Sequence, residues 1–313
     1  MKTSKAVRLS WFGGADALQI DPVAIPQPQD DEVLVRVVAA SVNPVDYKIR
    51  EGQFPPIRED MLPIILGRDL AGTIEAAGTS AHYMVVKGDP VFAHIGFDRG
   101  AQSEFVVVKA IELVAAPRSI DLVHAAAVPL AAMTAWQGLF DQGELQPGQT
   151  VLIHGGAGGV GHLAIQFAKA KGATVLTTVG TDDVDFVRAI GADTVIDYKT
   201  ERFEDVAKDV DLVFDLVGGE TQDRSFAVLR QGGTLVSTVG VADPDKGKAR
   251  DIRVPERWMA TPNAAQLGEI ADLIDAGRVK VEVAETFPLD QVREAYARLE
   301  QGHVRGKIVL TFA

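Results

Sequence analysis

The run His154-Gly155-Gly156-Ala157-Gly158-Gly159-Val160-Gly161 carries the clearest chemical content of this chain. Gly156, Gly158 and Gly161 spell G-x-G-x-x-G, directly after the apolar run Thr150 to His154 and directly before a helix-compatible run from Val160 to Lys171. Between a strand and a helix the three glycines serve distinct steric ends, namely a tight turn, close backbone approach to a pyrophosphate, and close packing of helix on strand. The helix start then offers N–H groups and the positive end of its dipole to phosphates. The pattern predicts a dinucleotide loop over Gly156 to Gly161, Ala157, Gly159 and Val160 included. A glycine-rich turn without a ligand is the competing possibility.

The choice of dinucleotide is read at the end of the next strand. NAD-binding loops usually find an Asp or Glu about 20 residues on, to hold the ribose 2′-hydroxyl. Here the place reads Thr178-Val179-Gly180-Thr181, with no carboxylate before Asp182. An uncharged strand end admits a 2′-phosphate, which favours NADP(H). Asp182 and Asp183 read more readily as first-turn helix residues favoured by the dipole.

Other chemistries find less support. The six histidines (His82, His94, His124, His154, His162 and His303) are scattered and form no H-x-x-x-H pair, so surface or loop positions are expected for nearly all of them. No metal site is expected. There is no G-x-S-x-G elbow for a hydrolase. The chain has no cysteine, which removes disulfides, iron–sulfur clusters, thiolate zinc sites and cysteine nucleophiles together, and fits a reducing compartment.

The elements that must position the loop follow from periodicity. The first third is β-rich: Glu32 to Ala39, Asp69 to Ala76 and Phe105 to Lys109 carry β-branched runs separated by Pro/Gly-rich loops such as Gly52 to Pro63. Asp121 to Leu139 is alanine-rich and helix-compatible. Strands and helices then alternate: strands over Ala173 to Thr178, Thr194 to Ile196, Asp211 to Leu216 and Thr234 to Val239 are continuous Val/Ile/Leu/Thr runs. Such runs between helices indicate a parallel, doubly wound sheet buried on both faces. Asp243 to Glu256 reads as a charged loop. A helix is expected after Pro262-Asn263, then a strand (Lys280 to Val283), a helix (Asp290 to Leu299) and a strand (Lys307 to Phe312).

At 313 residues the chain has room for two domains. Thirty-one Lys and Arg against 43 Asp and Glu give a net charge of −12, which disfavours nucleic acid as a partner. The first residues lack a signal-peptide core, and the longest weakly apolar stretch, Ala125 to Trp136, is too short to span a bilayer. A cytoplasmic protein without a membrane partner is expected.

Further runs carry a resemblance over nearly the whole chain. They are Ala40-Ser41-Val42-Asn43-Pro44-Val45-Asp46, Leu66-Gly67-Arg68-Asp69-Leu70-Ala71-Gly72, Ala126 to Leu130, Thr134-Ala135-Trp136, Ala189 to Asp193 with Val195-Ile196-Asp197-Tyr198, Phe214-Asp215, Gly218-Gly219 and Gly302 to Leu310. With the glycine loop, they make the chain resemble the zinc-independent quinone oxidoreductase and 2-alkenal (enone) reductase branch of the medium-chain dehydrogenase/reductase superfamily. The resemblance implies a GroES-like β-rich catalytic domain over 1–120, completed by 263–313, and a Rossmann NADP-binding domain over 121–262.

In zinc-dependent relatives a Cys and a His sit near where this chain has Asn43 and Arg68-Asp69. The resemblance implies Asn43 and Thr134 beside the nicotinamide end and Thr181 and Tyr198 at the 2′-phosphate. It also implies Val239 and Gly240 flanking the nicotinamide, and Lys307 approaching the cofactor from the returning tail. A Lys found in many relatives shortly after the Thr181 position is absent, since Val184 follows two aspartates. The implied reaction is hydride transfer from NADPH to a quinone or enone. Asn43 lies near the reacting end, and Tyr47 or Lys48 is the candidate donor to the oxygen that gains charge. Exposed loop positions fit Tyr47 and Lys48 equally well. A homodimer is implied by the way relatives associate. A non-catalytic redox sensor, or a reductase of another class such as acyl thioesters, would share these features.

Overall fold

The computed structural model describes residues 2–240 and 242–312. The chain divides into two compact units. One comprises 1–130, 261–275 and 281–313, the other 131–260 and 276–280. The first boundary lies ten residues beyond the expected 120, inside the helix Pro129–Trp136. Residues 121–130 stay with the first unit because the Leu130 N–H donates to the Asp69 carboxylate at 3.2 Å. Residues 276–280 join the second unit through two bonds between Gln166 and the Lys280 backbone and one from Arg278 to the Ala170 carbonyl.

The first unit is built on β structure. A seven-stranded sheet has the long strand Glu32–Val42 at its centre, paired antiparallel with Asp69–Ala77 on one side and with the tail strand Lys307–Thr311 on the other. Val33, Val35, Val37, Leu70, Ile74 and Val106 point into one core. A second core gathers Val7, Leu9, Leu18, Ile49 and Leu66 with Val292, Ala295 and Tyr296 of the helix Val292–Glu300. The tail is therefore structural: its strand pairs Ile308 with Val42 and Val309 with Ser41, and this register brings Lys307 to Asn43.

The β-rich first third also holds a helix that its periodicity did not reveal. Pro44–Arg50 is helical, started by Pro44 in its first turn and by a bond from the Asn43 N–H to the Asp46 carboxylate at 2.9 Å. Seven residues are too few for a recognisable apolar period. Tyr47 and Lys48 consequently lie on a helix, half-buried, and not on an exposed loop.

The second unit is a five-stranded, all-parallel sheet. Its spatial order is Thr194–Asp197, Thr174–Val179, Thr150–His154, Val210–Asp215, Leu229–Ser237. Numbered along the chain this is 3-2-1-4-5, the order of a Rossmann sheet, with its switch point beside Thr150–His154. Val151, Leu152, Ile153, Val213 and Phe214 are fully buried between helices, as their unbroken apolar runs require.

Two expectations need correction. The charged segment after residue 243 contains a helix, Pro244–Ala249, whose first N–H groups are capped by the Asp243 carboxylate. The strand expected over Lys280 to Val283 begins at Val283 and runs to Pro288, because residue 280 is held in the second unit by Gln166.

Candidate functional site

In the second unit the glycine loop connects the strand Thr150–His154 to the helix Gly161–Ala170. Gly155 makes the turn at φ 76°, and the Thr178 carbonyl accepts the N–H groups of Gly155 and Gly156 at 3.1 and 3.2 Å. A methyl group on Gly156 would strike the Thr177 side chain, and one on Gly161 would strike the Gly155 carbonyl. Those two glycines are demanded by packing. Gly158 is different, since a Cβ there meets nothing nearer than the Gly155 oxygen at 3.5 Å. Internal packing does not demand a glycine at this position, whereas the close approach of a ligand does. Val160 caps the helix without a side-chain bond, so no capping side chain competes with an anion for the helix start. The loop fits a dinucleotide pyrophosphate.

The neighbouring strand end shows features that spacing alone did not. Gly180 is flanked by the Tyr198 hydroxyl and the Lys199 side chain, whose Oη and Cε lie 3.3 and 3.5 Å from where its Cβ would be. Lys199 is a cation beside the place assigned to the 2′-phosphate, supplied by the following strand's end and not by the helix after Thr181. Tyr198 is 52% exposed. Thr181 donates its hydroxyl to Asp197 at 2.7 Å, and that bond is the main reason the Asp197 carboxyl is held below its usual range. Val239 is exposed, its N–H bonded to Ser237 Oγ at 3.2 Å, and Gly240 has open space around it. Thr134 is half-buried in its helix.

In the first unit a buried polar cluster surrounds Asn43. Its Nδ2 donates to Ser41 Oγ at 3.1 Å and to Asp69 Oδ1 at 3.3 Å, and its Oδ1 accepts from Lys307 Nζ. Ser41 Oγ donates to Asp69 Oδ1 at 2.8 Å, and Lys307 also reaches the Val42 carbonyl at 3.3 Å. Asp46 lies 4.0 Å from Arg68 Nε, and the rest of that guanidinium donates to the carbonyls of Gly96, Arg99 and Ile65. Asp46 and Asp69 are fully buried, Arg68 is 1% exposed and Lys307 4%. Burial pushes the Asp46 carboxyl up to about 6 against the pull of Arg68. Burial likewise raises Asp69 and lowers Lys307, each opposed by the other's charge.

Two cations thus answer two carboxylates. The Asn43 amide is spent inside the protein, so it serves first to hold this cluster together. Lys307 lies deep in its own unit and supports Asn43. Tyr47 packs against the second core, where burial and then the charges of Glu300 and Glu51 raise its phenol. That makes Tyr47 a poorer proton donor than its position alone suggests.

A divalent metal does not fit this cluster. The chain has no thiolate, and a guanidinium and an ammonium stand among the candidate ligands. No group of three His, Cys, Asp or Glu at metal spacing occurs among the described residues. Three of the six histidines, His94, His154 and His162, are buried, against the expectation of surface positions. His94 and His154 close strands, and His162 lies in the helix Gly161–Ala170 with Nδ1 2.9 Å from the Gly158 carbonyl. No helix among the described residues is long and apolar enough to cross a membrane.

Comparison with known proteins agrees with both units. Residues 29–118 match the family described as the alcohol dehydrogenase GroES-like domain, and residues 190–310 the family described as zinc-binding dehydrogenase. An Arabidopsis thaliana chloroplastic protein named NADPH-dependent alkenal/one oxidoreductase is 36% identical over 99% of this chain and 80% of its own length. The solved quinone oxidoreductase of Coxiella burnetii superposes with a TM-score of 0.91 at 34% identity, over 99% of both chains. A mycobacterial protein solved in complex with NADPH gives a TM-score of 0.86 at 30% identity, covering 98% of this chain and 99% of that one.

Proposed function

The chain belongs to the medium-chain dehydrogenase/reductase superfamily, and from that premise we propose that it is an NADPH-dependent reductase of quinones or α,β-unsaturated carbonyls that works without zinc. NADPH supplies the hydride when bound. Gly158 and the helix start at Gly161 receive the pyrophosphate, and Tyr198, Lys199 and Thr181 stand at the 2′-phosphate.

The observation that carries the zinc-free reading is the buried cluster of Asn43, Asp46, Arg68, Asp69 and Lys307. Its buried cations, Arg68 and Lys307, would repel a metal ion, which supports an acceptor that needs no Lewis acid. Conjugated carbonyls and quinones meet this condition, because conjugation already spreads the charge left by hydride addition. The residual charge on oxygen calls for a positioned donor. Lys48, half-buried one residue beyond Tyr47, is our choice, since the Tyr47 phenol is raised and bound up with the core. We further propose a cytoplasmic homodimer, the compartment from the absence of cysteine and the pairing from the family resemblance.

NADPH oxidation is the test, measured with a panel of enones and quinones in the presence and absence of a chelator. Turnover that survives chelation is expected; loss of turnover on chelation overturns the zinc-free reading, and no turnover with any acceptor overturns the reductase. Lys48→Met should cut kcat/KM for enones by roughly 10²–10³, the usual effect of losing one oxyanion donor, at unchanged NADPH affinity. Parental turnover by this variant would return Lys48 to a solvated surface role.

A further inference from the structure

His154 closes the first strand of the parallel sheet, immediately before the glycine loop, and none of the chemistry above uses it. It is fully buried. Its Nδ1 lies 3.0 Å from Thr178 Oγ1 and its Nε2 3.0 Å from Ser225 Oγ. The partners fix the directions of these bonds. Ser225 Oγ lies 2.7 Å from the Thr221 carbonyl, which can only accept, so the Ser225 proton is committed there. Ser225 must then accept from His154, which places a proton on Nε2.

At the other end, Thr178 Oγ1 accepts from the Gly155 N–H at 3.4 Å and has its own proton free to give to Nδ1. All the donors therefore point the same way on each side of the ring, and the neutral Nε2–H imidazole satisfies every group. An imidazolium would present a second donor to Thr178 and force its hydroxyl to find another acceptor. The surroundings support the neutral form. Burial lowers this histidine to about 4, with Arg224 acting in the same direction and Asp215 and Glu204 opposing, while Phe203 covers the ring edge-on at 4.7 Å between centroids.

Building on the dinucleotide reading of the loop, we propose that His154 is a positioning residue for the pyrophosphate site. As the Nε2–H tautomer it bonds the Thr178 hydroxyl that holds the Gly155 N–H, and it ties that turn to the helix Gly219–Ser225. Thr178 is the joint of this device, because its carbonyl also accepts from Gly155 and Gly156. His154 thus sets the turn from which Gly158 and the helix start are presented, without touching the cofactor.

The test joins a spectroscopic signature to a binding measurement. In protein labelled with ¹⁵N-histidine, long-range proton–nitrogen correlation should show His154 protonated on Nε2 and bare on Nδ1 at pH 7. A proton on Nδ1, or an imidazolium, overturns the proposal with no variant needed. Thr178→Val keeps the shape and removes the hydroxyl, and should weaken NADPH about tenfold, the order of one buried hydrogen bond, as read by fluorescence titration. Its kcat at saturating NADPH should stay within twofold of the parent, and Thr178→Ser should restore affinity. Parental NADPH affinity in Thr178→Val overturns the role of His154 alone. Failure of the parent protein to bind NADPH overturns the dinucleotide reading as well.

Discussion

In the first unit, the polar residues around Asn43 include buried charges that balance one another in sign; in the second, the glycine loop is neutral backbone, held by carbonyls and hydroxyls. The difference separates two ways of preparing a site. A loop of glycines can separate packing from ligand approach, because one position can be tight and the next open. The cluster cannot, since each member of Asp46, Arg68, Asp69 and Lys307 holds the others' charges in place. Substitutions should therefore be selective in the second unit and global in the first.

The sharpest form of that contrast lies within the loop itself. Gly161→Val drives a side chain into the Gly155 carbonyl, and this backbone cannot yield cheaply, so the variant should fail to fold or be recovered largely unfolded. Gly158→Val meets no such obstacle and should fold with a near-parental melting temperature while losing measurable NADPH binding. Circular dichroism and NADPH titration on both variants decide this. A well-folded Gly161→Val, or a Gly158→Val that still binds, would remove the distinction between packing and approach.

Removing one charge from the cluster should be nearly as costly. Lys307→Met leaves two buried carboxylates with a single cation, and loss of one partner of a buried pair typically costs about 3–5 kcal/mol. Denaturant unfolding should show that loss, together with weakened pairing of the tail strand in hydrogen exchange. A change under about 1 kcal/mol would mean the carboxylates take up protons readily and the cluster is not held by charge.

How legible these two arrangements were in the sequence follows from chain distance. Gly156, Gly158 and Gly161 lie within six residues of one another, so spacing alone marked them as a candidate loop, and the alternation of apolar runs exposed the sheet behind them. The cluster joins Asn43 to Lys307 across 264 residues and Ser41 to Asp69 across 28. Nothing local marks Asp46 or Arg68 as buried partners. Lys199 was hidden for a related reason, because it approaches Gly180 from the next strand. The helix Pro244–Ala249 was legible in principle, since an Asp followed by Pro is a strong helix start, but its charges read as loop.

Acid weakens both units, but to different degrees. A histidine held near 4 contributes stability above its ordinary 6.5 that is lost as pH falls toward 4. A carboxyl raised to about 6 does the reverse, gaining stability as pH falls from above 6 toward 3.8. In the first unit His94 and Asp46 therefore oppose each other, whereas in the second His154 has no such counterweight among the strongly shifted groups. Between pH 7.5 and 5 each histidine should remove about 2 kcal/mol and Asp46 should return about 1. Hydrogen exchange at the two pH values should show the second unit weakening more. Asp46→Asn should abolish the difference, and equal weakening of both units in the parent would break the contrast.

The smallest effect tests whether selectivity in the second unit extends to single atoms. Tyr198 and Lys199 both stand beside Gly180, but they offer different chemistry: a hydroxyl able to donate one bond, and an ammonium carrying a full charge. Both are exposed, so solvent screens the lysine and its interaction with a 2′-phosphate should remain near the value of a surface pair, about 1 kcal/mol or somewhat less. Lys199→Met should then weaken NADPH by roughly threefold to fivefold, more at low salt than at high, and Tyr198→Phe by a similar or smaller factor without a salt dependence. NADH lacks the 2′-phosphate and should bind both variants as it binds the parent. Asp197 lies close by, its carboxylate held by Thr181, and opposes the phosphate. Asp197→Asn should for that reason strengthen NADPH slightly and leave NADH unchanged. Equal changes for the two dinucleotides in any of the three variants would mean that this corner contacts the adenosine rather than its phosphate, and that preference for NADPH is set elsewhere in the second unit.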